Sequence, residues 1–359
     1  MTGPMRRITK FLLVISALSA VACADENNVG TGHDNPARAA YFWKTAFSLS
    51  VNEKAFLKEH GIGRIYLRLF DVALEKKSKA NDCEVVPVAT TRFVQPVPKD
   101  IEIVPTVYIT LEAMKFYLSR EEELAVLITT RIMNMCSYHD IGPVREIQFD
   151  CDWTANTRES YAAMCEAAKS ILHKKGILLS GTIRLHQIEE AVYPFDRGVV
   201  MLYNTGAIKD CRTRNSILSY DDAYKYLSVK KRTRKFLAAR KDNCSETAFA
   251  YPLFRWSVVF DADGAFKCLM SRTDFSGIGQ IEKRGKSHYF VREAVNPDGK
   301  WLYPGYTIRI ERSEIDEVLS VKALAEHTIG KASRSNILYL LDSAIISNYS
   351  KNDIEKILH

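Results

Sequence analysis

The chain is 359 residues long, and without its N-terminal segment it keeps about 320 residues, enough for one large α/β barrel or two ordinary domains. Its formal net charge is +7, of which three positive charges lie in the first 22 residues, so the remainder carries +4. That charge is too small to indicate nucleic-acid binding. The eight cysteines are irregularly spaced and include no Cys-x-x-Cys pair, which predicts neither a disulfide framework nor a zinc site, although a single disulfide stays compatible with them.

The first 22 residues have the layout of a secretory signal peptide. Arg6, Arg7 and Lys10 form a positive start, and a short apolar run follows. That run is too short to span a bilayer comfortably, which favours a cleaved export signal. The two small residues before Cys23 resemble a bacterial lipobox, although Ala20 stands where Leu is usual, and the resemblance implies that Cys23 is lipidated. The alternative is ordinary signal-peptidase cleavage beside an incidental cysteine.

Residues 23–38 are polar and show no periodicity, which predicts a flexible tether. The acidic pair Asp25-Glu26 in this segment resembles the surface-export signal of Bacteroidetes lipoproteins. No other apolar run approaches membrane-spanning length, so a lipid on Cys23 is the only membrane attachment that the sequence predicts. We therefore expect an outer-membrane lipoprotein of the cell envelope, facing either the periplasm or the outside.

Between residues 39 and 359, strand-like apolar runs alternate with amphipathic helical segments. This alternation is typical of a parallel α/β fold, and eight strands fit a (β/α)8 barrel of the TIM type. The predicted strands are 39–43, 64–71, 101–110, 146–152, 178–186, 198–203, 249–259 and 337–342. The predicted helices are 52–60, 121–136 and 158–175, with two more that begin after the capping residues Ser219 and Ser350.

The region from about 258 to 330 does not fit this alternation. Asp261-Ala262-Asp263-Gly264 is a hairpin signal, and the residues after it contain both strand-like and helical pieces. We expect an irregular insertion between the seventh and the eighth strand of the barrel. A small separate β-rich domain is the alternative.

Polar side chains follow many of the predicted strands at the point where each strand ends. In this fold functional side chains cluster there, because the carboxyl ends of the strands meet at one mouth. Asp71 ends the second strand, Glu112 follows the third and Asp342 ends the eighth. Asp71 and Glu112 are candidate catalytic acids.

The strongest single signal is Asp150-Cys151-Asp152 at the end of the fourth strand. Strand side chains alternate, so Asp150 and Asp152 are expected on the same side, about 7 Å apart. Repulsion and partial burial should then raise the pKa of one carboxyl, which separates an acid role from that of a base or nucleophile. Paired carboxylates are what glycoside hydrolysis requires. The alternative is structural, with each Asp capping a helix or pairing with Arg184 or Arg68.

Candidate substrate-binding residues end the fifth and the sixth strand. Arg184 and His186 share one face of the fifth strand, where Arg184 could fix Asp150 and His186 could hydrogen-bond a sugar hydroxyl. Tyr203 and Asn204 end the sixth strand. A lone histidine is more often structural, and no His-x-x-x-His spacing accompanies His186, so neither a metal nor a cofactor is predicted.

Tryptophans lie at or near three predicted strand ends, at Trp43, Trp153 and Trp256. Aromatic rings stack on the apolar faces of sugars, which makes Trp43 and Trp256 candidate binding residues, although core packing is the alternative for each. The basic run 230–235 is expected to be the solvated face of a helix. The sequence contains no Gly-x-Ser-x-Gly and no phosphate-cradling glycine loop.

The stretch Asp150-Cys151-Asp152-Trp153-Thr154 resembles the Asp-x-Asp-x-Glu strand of chitinase-type glycoside hydrolases. Thr154 stands at the position of that family's acidic residue, and a hydroxyl does not donate a proton as a carboxylic acid does. The resemblance therefore implies a hydrolase whose acid comes from elsewhere, with Glu112 and Asp71 as candidates, or a relative that has lost it.

Five stretches carry a wider resemblance, which spans about residues 40–350: they are 66–72, 150–154, 182–187, 201–206 and 340–343. Through them the chain resembles uncharacterised Bacteroidetes lipoproteins with a glycoside-hydrolase-like barrel. The resemblance implies a fold and a compartment, and it brings no substrate.

Two functions follow as expectations, both with an oligo- or polysaccharide as the partner and neither with nucleic acid. The first is a lipid-anchored glycoside hydrolase, with Asp150 as nucleophile or electrostatic stabiliser and Asp152 as its partner. The second is a non-catalytic glycan-binding lipoprotein. A structural cell-envelope protein is a further alternative, and it predicts a barrel mouth sealed by the insertion.

Overall fold

The computed structural model describes residues 38–76, 83–190, 193–243, 246–334 and 336–359. The predicted signal peptide, the lipidation site Cys23 and nearly all of the tether lie outside the described residues. Within the described residues, no helix combines the length and the apolar character needed to cross a membrane.

The strands of the described chain are β1 (Arg38–Phe42), β2 (Ala46–Phe47), β3 (Ile62–Lys76), β4 (Cys83–Val88), β5 (Arg92–Phe93), β6 (Glu102–Ile109), β7 (Glu146–Cys151), β8 (Leu178–Arg184), β9 (Arg197–Met201), β10 (Glu246–Pro252), β11 (Arg255–Phe260), β12 (Phe266–Met270), β13 (Ile281–Arg284), β14 (His288–Val291), β15 (Thr307–Arg312) and β16 (Ile337–Tyr339).

The helices are α1 (Val51–Glu59), α2 (Leu111–Phe116), α3 (Glu121–Tyr138), α4 (Arg158–His173), α5 (Tyr220–Leu227), α6 (Lys230–Asn243), α7 (Ile315–Ile329), α8 (Ser343–Ile346) and α9 (Lys351–Leu358). Short 3-10 turns lie at Leu185–Glu189 and Pro297–Gly299. The caps predicted at Ser219 and Ser350 are present, because each hydroxyl accepts a backbone N–H of the first helical turn.

Parallel strands of the described chain close a barrel in the order β1, β3, β6, β7, β8, β9, β10 and β16, with β16 pairing back to β1. This confirms the predicted eight-stranded α/β barrel with helices between its strands. The strand β3 is longer than the predicted 64–71, because it continues past the barrel as an antiparallel hairpin with β4.

The inside of the barrel carries a column of polar side chains along β7. Every residue of β7 is buried, since helices cover the outside and side chains fill the inside. Glu146 accepts hydrogen bonds from Arg197 and Arg334 at the amino end, and Gln148 accepts one from the Tyr41 hydroxyl at 2.8 Å. The two lower members of the column, Glu146 and Gln148, therefore have hydrogen-bond partners inside the barrel. The third member, Asp150, lies next to the mouth.

The predicted seventh strand is present as β10, but it ends at Pro252 rather than continuing to 259. The chain forms β10, leaves the barrel after Pro252 and starts β11, which belongs to a separate five-stranded antiparallel sheet in the order β12, β11, β15, β14 and β13. Apolar residues predominate on both sides of the break and are mostly buried, so hydropathy alone does not separate the two strands. Proline cannot donate a ladder hydrogen bond, and Pro252 marks the true end.

The chain leaves the barrel between the seventh and the eighth strand, as expected, but the excursion is regular and covers 255–312 rather than 258–330. The antiparallel sheet has its own core, which includes Phe275, Tyr289 and Ile308. Helix α7 lies inside the predicted insertion, yet its buried Val318 and Val321 belong to the core of the barrel.

Gly181 in β8 leaves room for the ring of Phe195. A Cβ added at Gly181 would lie 2.3 Å from Phe195 Cδ1, well inside van der Waals contact. We expect Gly181→Ala to lower the free energy of unfolding by about 1–3 kcal/mol, because the ring or the strand must shift. Urea unfolding measures this loss. Gly277→Ala, where no heavy atom lies within 4 Å of the added Cβ, is the control, and equal effects of the two changes would contradict the packing account.

Candidate functional site

A pocket of about 440 Å³ opens where the barrel strands end. Its volume lies in the range of small-molecule sites in proteins. Eight of the ten residues that the sequence predicts for the site line this mouth pocket: Trp43, Asp71, Asp150, Asp152, Arg184, His186, Tyr203 and Asn204. Their functional roles stay predictions.

Asp150 is the most deeply placed carboxylate of the mouth pocket. Its residue is 3% exposed, and its Oδ1 accepts hydrogen bonds from Thr182 Oγ1 at 2.6 Å and Arg184 Nη2 at 2.9 Å. Burial raises the pKa of Asp150, while the charge of Arg184 and the Thr182 hydrogen bond offset part of that rise. Both partners come from β8, the strand paired with β7, so the sheet register sets this arrangement.

Asp152 has a different environment from Asp150. It lies one residue beyond the end of β7, in a loop, and its side chain is 51% exposed. Its Oδ1 lies 3.7 Å from Arg184 Nε and 3.7 Å from His186 Nε2. The guanidinium of Arg184 therefore contacts both carboxylates, and burial affects the pKa of Asp150 more than the charge of Asp152 does.

Asp71 is held by a second arginine. Arg68 donates to both of its carboxylate oxygens, from Nε at 2.7 Å and from Nη2 at 2.5 Å. The same guanidinium lies 5.8 Å from the centre of the Trp43 ring. This bidentate pair fixes the orientation of the Asp71 carboxylate at the rim of the mouth pocket. Arg68, one of the two partners considered for Asp150, binds Asp71 instead.

Aromatic side chains form much of the wall of the mouth pocket. Tyr339 stacks on Tyr203 with ring centres 5.0 Å apart and meets Trp43 edge-on at 6.0 Å. Tyr108 and Tyr226 complete the aromatic lining. Burial raises the pKa of Tyr108 to about 12, so its hydroxyl stays protonated at neutral pH and can donate a hydrogen bond.

Tyr108, Tyr226 and Tyr339 were missed by sequence reasoning. Tyr108 faces inward one residue before the end of β6, so strand alternation could have found it. Tyr339 ends β16, which stops three residues earlier than predicted, and Asp342 instead caps α8 by accepting the Ala344 amide at 2.9 Å. Tyr226 comes from helix α5, and its position depends on packing that no local pattern reports.

The structure does not bring Glu112 or Trp256 to the mouth pocket. Glu112 is exposed in the first turn of α2, because that helix begins directly after Thr110 at the end of β6. Trp256 lies in β11 and lines a neighbouring pocket of about 460 Å³, to which Asn204 and Tyr339 also contribute. The misread seventh strand accounts for the Trp256 prediction.

The loop after β9 is fixed against the antiparallel sheet. Asn204 has a φ of 55°, and its amide donates to the Ile217 carbonyl at 2.6 Å. Further along the loop, the Ser216 amide donates to Glu311 Oε1 at 3.0 Å. The other oxygen of this carboxylate, Oε2, accepts the indole N–H of Trp256 in β11 at 2.6 Å. One buried carboxylate of β15 thus holds the loop that carries Tyr203 and Asn204 into the mouth.

No cluster of three or more His, Cys, Asp or Glu side chains suited to a metal ion occurs in the described part of the chain. Thr154 is exposed in the turn after Asp152, where its amide donates to Thr157 Oγ1 at 3.0 Å. At the position where the chitinase-type pattern has its acid, this chain therefore presents a hydroxyl in a surface turn.

No protein-family model matches the sequence, and no curated protein matches it closely. Among solved structures, a group IV chitinase from Ostrinia furnacalis superposes with a TM-score of 0.52 at 11% identity, over 90% of this chain and 98% of that one. This chain shares the fold of that chitinase, an eight-stranded α/β barrel. The spore cortex-lytic enzyme SleL from Bacillus cereus gives a TM-score of 0.49 at 13% identity, over 90% of this chain and 75% of that one. A family 18 chitinase from Cycas revoluta, solved with (GlcNAc)4, gives 0.49 at 11% identity, over 89% and 99%. At these identities the likeness describes the fold alone.

Arg184 is the main positive charge beside Asp150 in this barrel. We expect Arg184→Gln to lower the free energy of unfolding by about 3–5 kcal/mol at pH 7.5, because a buried carboxylate loses its counter-charge. The pKa of Asp150 then rises further in the folded state, above the unfolded value of about 4. A carboxyl whose pKa is raised by folding loses stability as the pH rises through that pKa, so part of the loss should be recovered at pH 5.

Urea unfolding at the two pH values measures this effect. The control is the double variant Arg184→Gln/Asp150→Asn, in which the recovery at pH 5 should disappear because no carboxyl remains to take up the proton. A pH response that is the same in the single and the double variant would contradict the assignment to Asp150.

Proposed function

We propose that the mouth pocket binds a saccharide unit of an oligo- or polysaccharide. The observation that carries the proposal is the combination of five aromatic side chains with charged hydrogen-bonding groups in one pocket of a glycoside-hydrolase-like barrel. Trp43 and the tyrosines at 108, 203, 226 and 339 supply the aromatic part.

Sugars present apolar C–H faces and a rim of hydroxyl groups, and this lining fits both. Aromatic rings pack against the C–H faces, while carboxylates accept hydroxyl protons and guanidinium groups donate to hydroxyl oxygens. Asp152 and His186 are about half exposed and so are free to exchange water for a ligand. A purely structural protein would have a sealed mouth, and the exposure of these two side chains favours a binding role.

Hydrolysis of a glycosidic bond is the second candidate function. It is favoured by the contrast between Asp150, which is buried with a raised pKa, and Asp152, which is half exposed, because such a contrast separates an acid from a charged partner. Two features place binding first: Arg184 contacts both carboxylates, and Thr154 stands where the chitinase-type pattern has its acid.

Glycan binding is tested by calorimetric titration of the full-length protein in neutral detergent with a panel of neutral and acidic oligosaccharides. We expect Trp43→Ala to weaken binding by about tenfold or more, because stacking area is lost at the pocket. Trp301→Ala is the matched control, since Trp301 is 59% exposed and lines none of the described pockets. Equal affinities of the two variants would remove the mouth pocket as the binding site.

The same panel, assayed for release of reducing ends, separates the two candidate functions. Release that disappears in Asp150→Asn establishes hydrolysis at the end of β7. Binding without release, unchanged when Asp150→Asn is tested, establishes a non-catalytic role.

We also propose that the chain is anchored to the outer membrane of the cell envelope by a lipid on Cys23, on the basis of the signal layout and the two small residues before Cys23. In cells fed radiolabelled palmitate, we expect the wild-type protein to carry label and to sediment with membranes. Cys23→Ser should be unlabelled and should not sediment with membranes, because no thiol is left to acylate. An unlabelled wild-type protein would instead indicate ordinary signal-peptidase cleavage.

A further inference from the structure

A second pocket, of about 540 Å³, lies between the antiparallel sheet and the loop that follows β9. We call it the outer pocket. Its floor includes the apolar side chains of Leu218 and Ile310, and its rim is polar and charged. None of the residues predicted for the site contributes to it.

Three cations from separate parts of the chain surround the outer pocket. Arg214 comes from the β9 loop, Lys283 from β13 and Lys286 from the turn that follows β13. All three side chains are exposed, and no ion pair to them occurs among the described residues. Their exposed charges can therefore take an anionic ligand without breaking a direct ion pair, although the charge of Lys283 also stabilises the nearby Asp274 carboxylate.

Strand alternation separates these cations from the paired ones on the same hairpin. Arg284 directly follows Lys283 and so points to the opposite face, where its guanidinium lies 3.7 Å from the centre of the Phe290 ring and 3.4 Å from Glu282. The free charge of the hairpin is thus directed into the outer pocket.

Carboxylates also line the outer pocket, and they restrict what can bind. Glu314 is paired with Arg312 at 2.5 Å, and Glu317 Oε2 accepts the Tyr220 amide at 2.8 Å. Asp274 lines the same pocket as the three cations. Asp274 accepts hydrogen bonds from the amide and the hydroxyl of Ser276, which keep its pKa low and its charge present. A bare inorganic anion would meet this negative charge, whereas an acidic sugar brings an anionic group for the cations and hydroxyl donors for the carboxylates.

The β9 loop forms a wall between the mouth pocket and the outer pocket. Asn204 lines the mouth pocket, and its amide donates to the carbonyl of Ile217, the residue before Leu218. Ser219, which lines the outer pocket, donates its amide to Thr205 Oγ1 at 3.0 Å. Neighbouring residues of one doubled-back loop therefore line both pockets, which places the two pockets on either side of the same loop.

We propose that the outer pocket binds an acidic sugar residue, carrying a uronate or a sulfate ester, of the glycan that the mouth pocket holds. The inference rests on the proposed function for the identity of the polymer, whereas the acidic character of the bound unit rests on the outer pocket alone. The ligand of this protein is accordingly an acidic polysaccharide.

Calorimetric titration of the full-length protein in neutral detergent tests this with one set of probes: chondroitin 4-sulfate oligosaccharides, the same oligosaccharides after desulfation, and the same after carboxyl reduction. We expect the fully charged form to bind about tenfold tighter than at least one of the two altered forms, which identifies the sulfate or the uronate as the bound group. Lys283→Gln/Lys286→Gln should remove that preference and weaken binding of the charged form about tenfold.

The matched control is Lys230→Gln/Lys231→Gln on the exposed face of α6, which removes the same charge away from the outer pocket. Equal weakening in the two double variants would overturn the inference, because net charge alone would then explain binding. Equal affinity of the wild-type protein for all three oligosaccharides would also overturn it, while leaving binding at the mouth pocket intact. If Trp43→Ala has no effect and Lys283→Gln/Lys286→Gln does, the outer pocket stands and the proposed mouth binding fails.

Discussion

The mouth of this barrel depends on the contact of one guanidinium with two carboxylates. Asp150 is 3% exposed, and an ionised carboxylate at that depth is stable only with a counter-charge and hydrogen bonds, which Arg184 and Thr182 provide. The same guanidinium reaches Asp152 at 3.7 Å. Because Arg184 is shared, neither carboxylate can be changed without altering the electrostatics of the other. The two acids at the end of β7 are therefore one coupled unit, and any ligand in the pocket meets that unit as a whole.

Compensation of buried carboxylates by arginine recurs throughout the structure. Arg68 holds Asp71 at the mouth, Arg197 and Arg334 hold Glu146 at the barrel floor, and Arg309 pairs with Glu311 beneath the β9 loop. These pairs orient side chains and loops, and each one occupies carboxylate oxygens with a fixed hydrogen-bond partner. Of the acids that line the mouth, Asp152 alone combines exposure with distant partners. Fixed, paired carboxylates suit the recognition of a ligand better than proton transfer to it, and for this reason we rank glycan binding before hydrolysis.

Local patterns in the sequence predict the barrel and roughly half of the mouth. Strand and helix periods differ enough to reveal the alternation of elements, and strand alternation alone places Asp150 beside Arg184 once β7 and β8 are neighbours. Tyr108 was within reach of strand alternation, whereas the position of Tyr226 and the destination of the chain after Pro252 depend on tertiary contacts. Apolar residues predominate on both sides of Pro252 in the segment 249–259, although one side enters the barrel and the other an antiparallel sheet. Tyr226 reaches the pocket only because α5 packs over it. The local sequence of a helix does not show which of its surface tyrosines will line a pocket.

The antiparallel sheet is connected to the mouth by more than chain continuity. Glu311 is fully buried, accepts hydrogen bonds from Ser216 and Trp256, and is paired with Arg309, which itself donates to the Asp210 carbonyl. The β9 loop is thus held by β15 at Ser216 and at Asp210. It carries Tyr203 and Asn204 into one pocket and Leu218 and Ser219 into the other. Because buried charged networks of this kind are costly to break, the loop has little freedom to move independently of the sheet. The two pockets are therefore set in a fixed relation by the fold, and a ligand that spans both is selected by the spacing of its sugar units as well as by their charge.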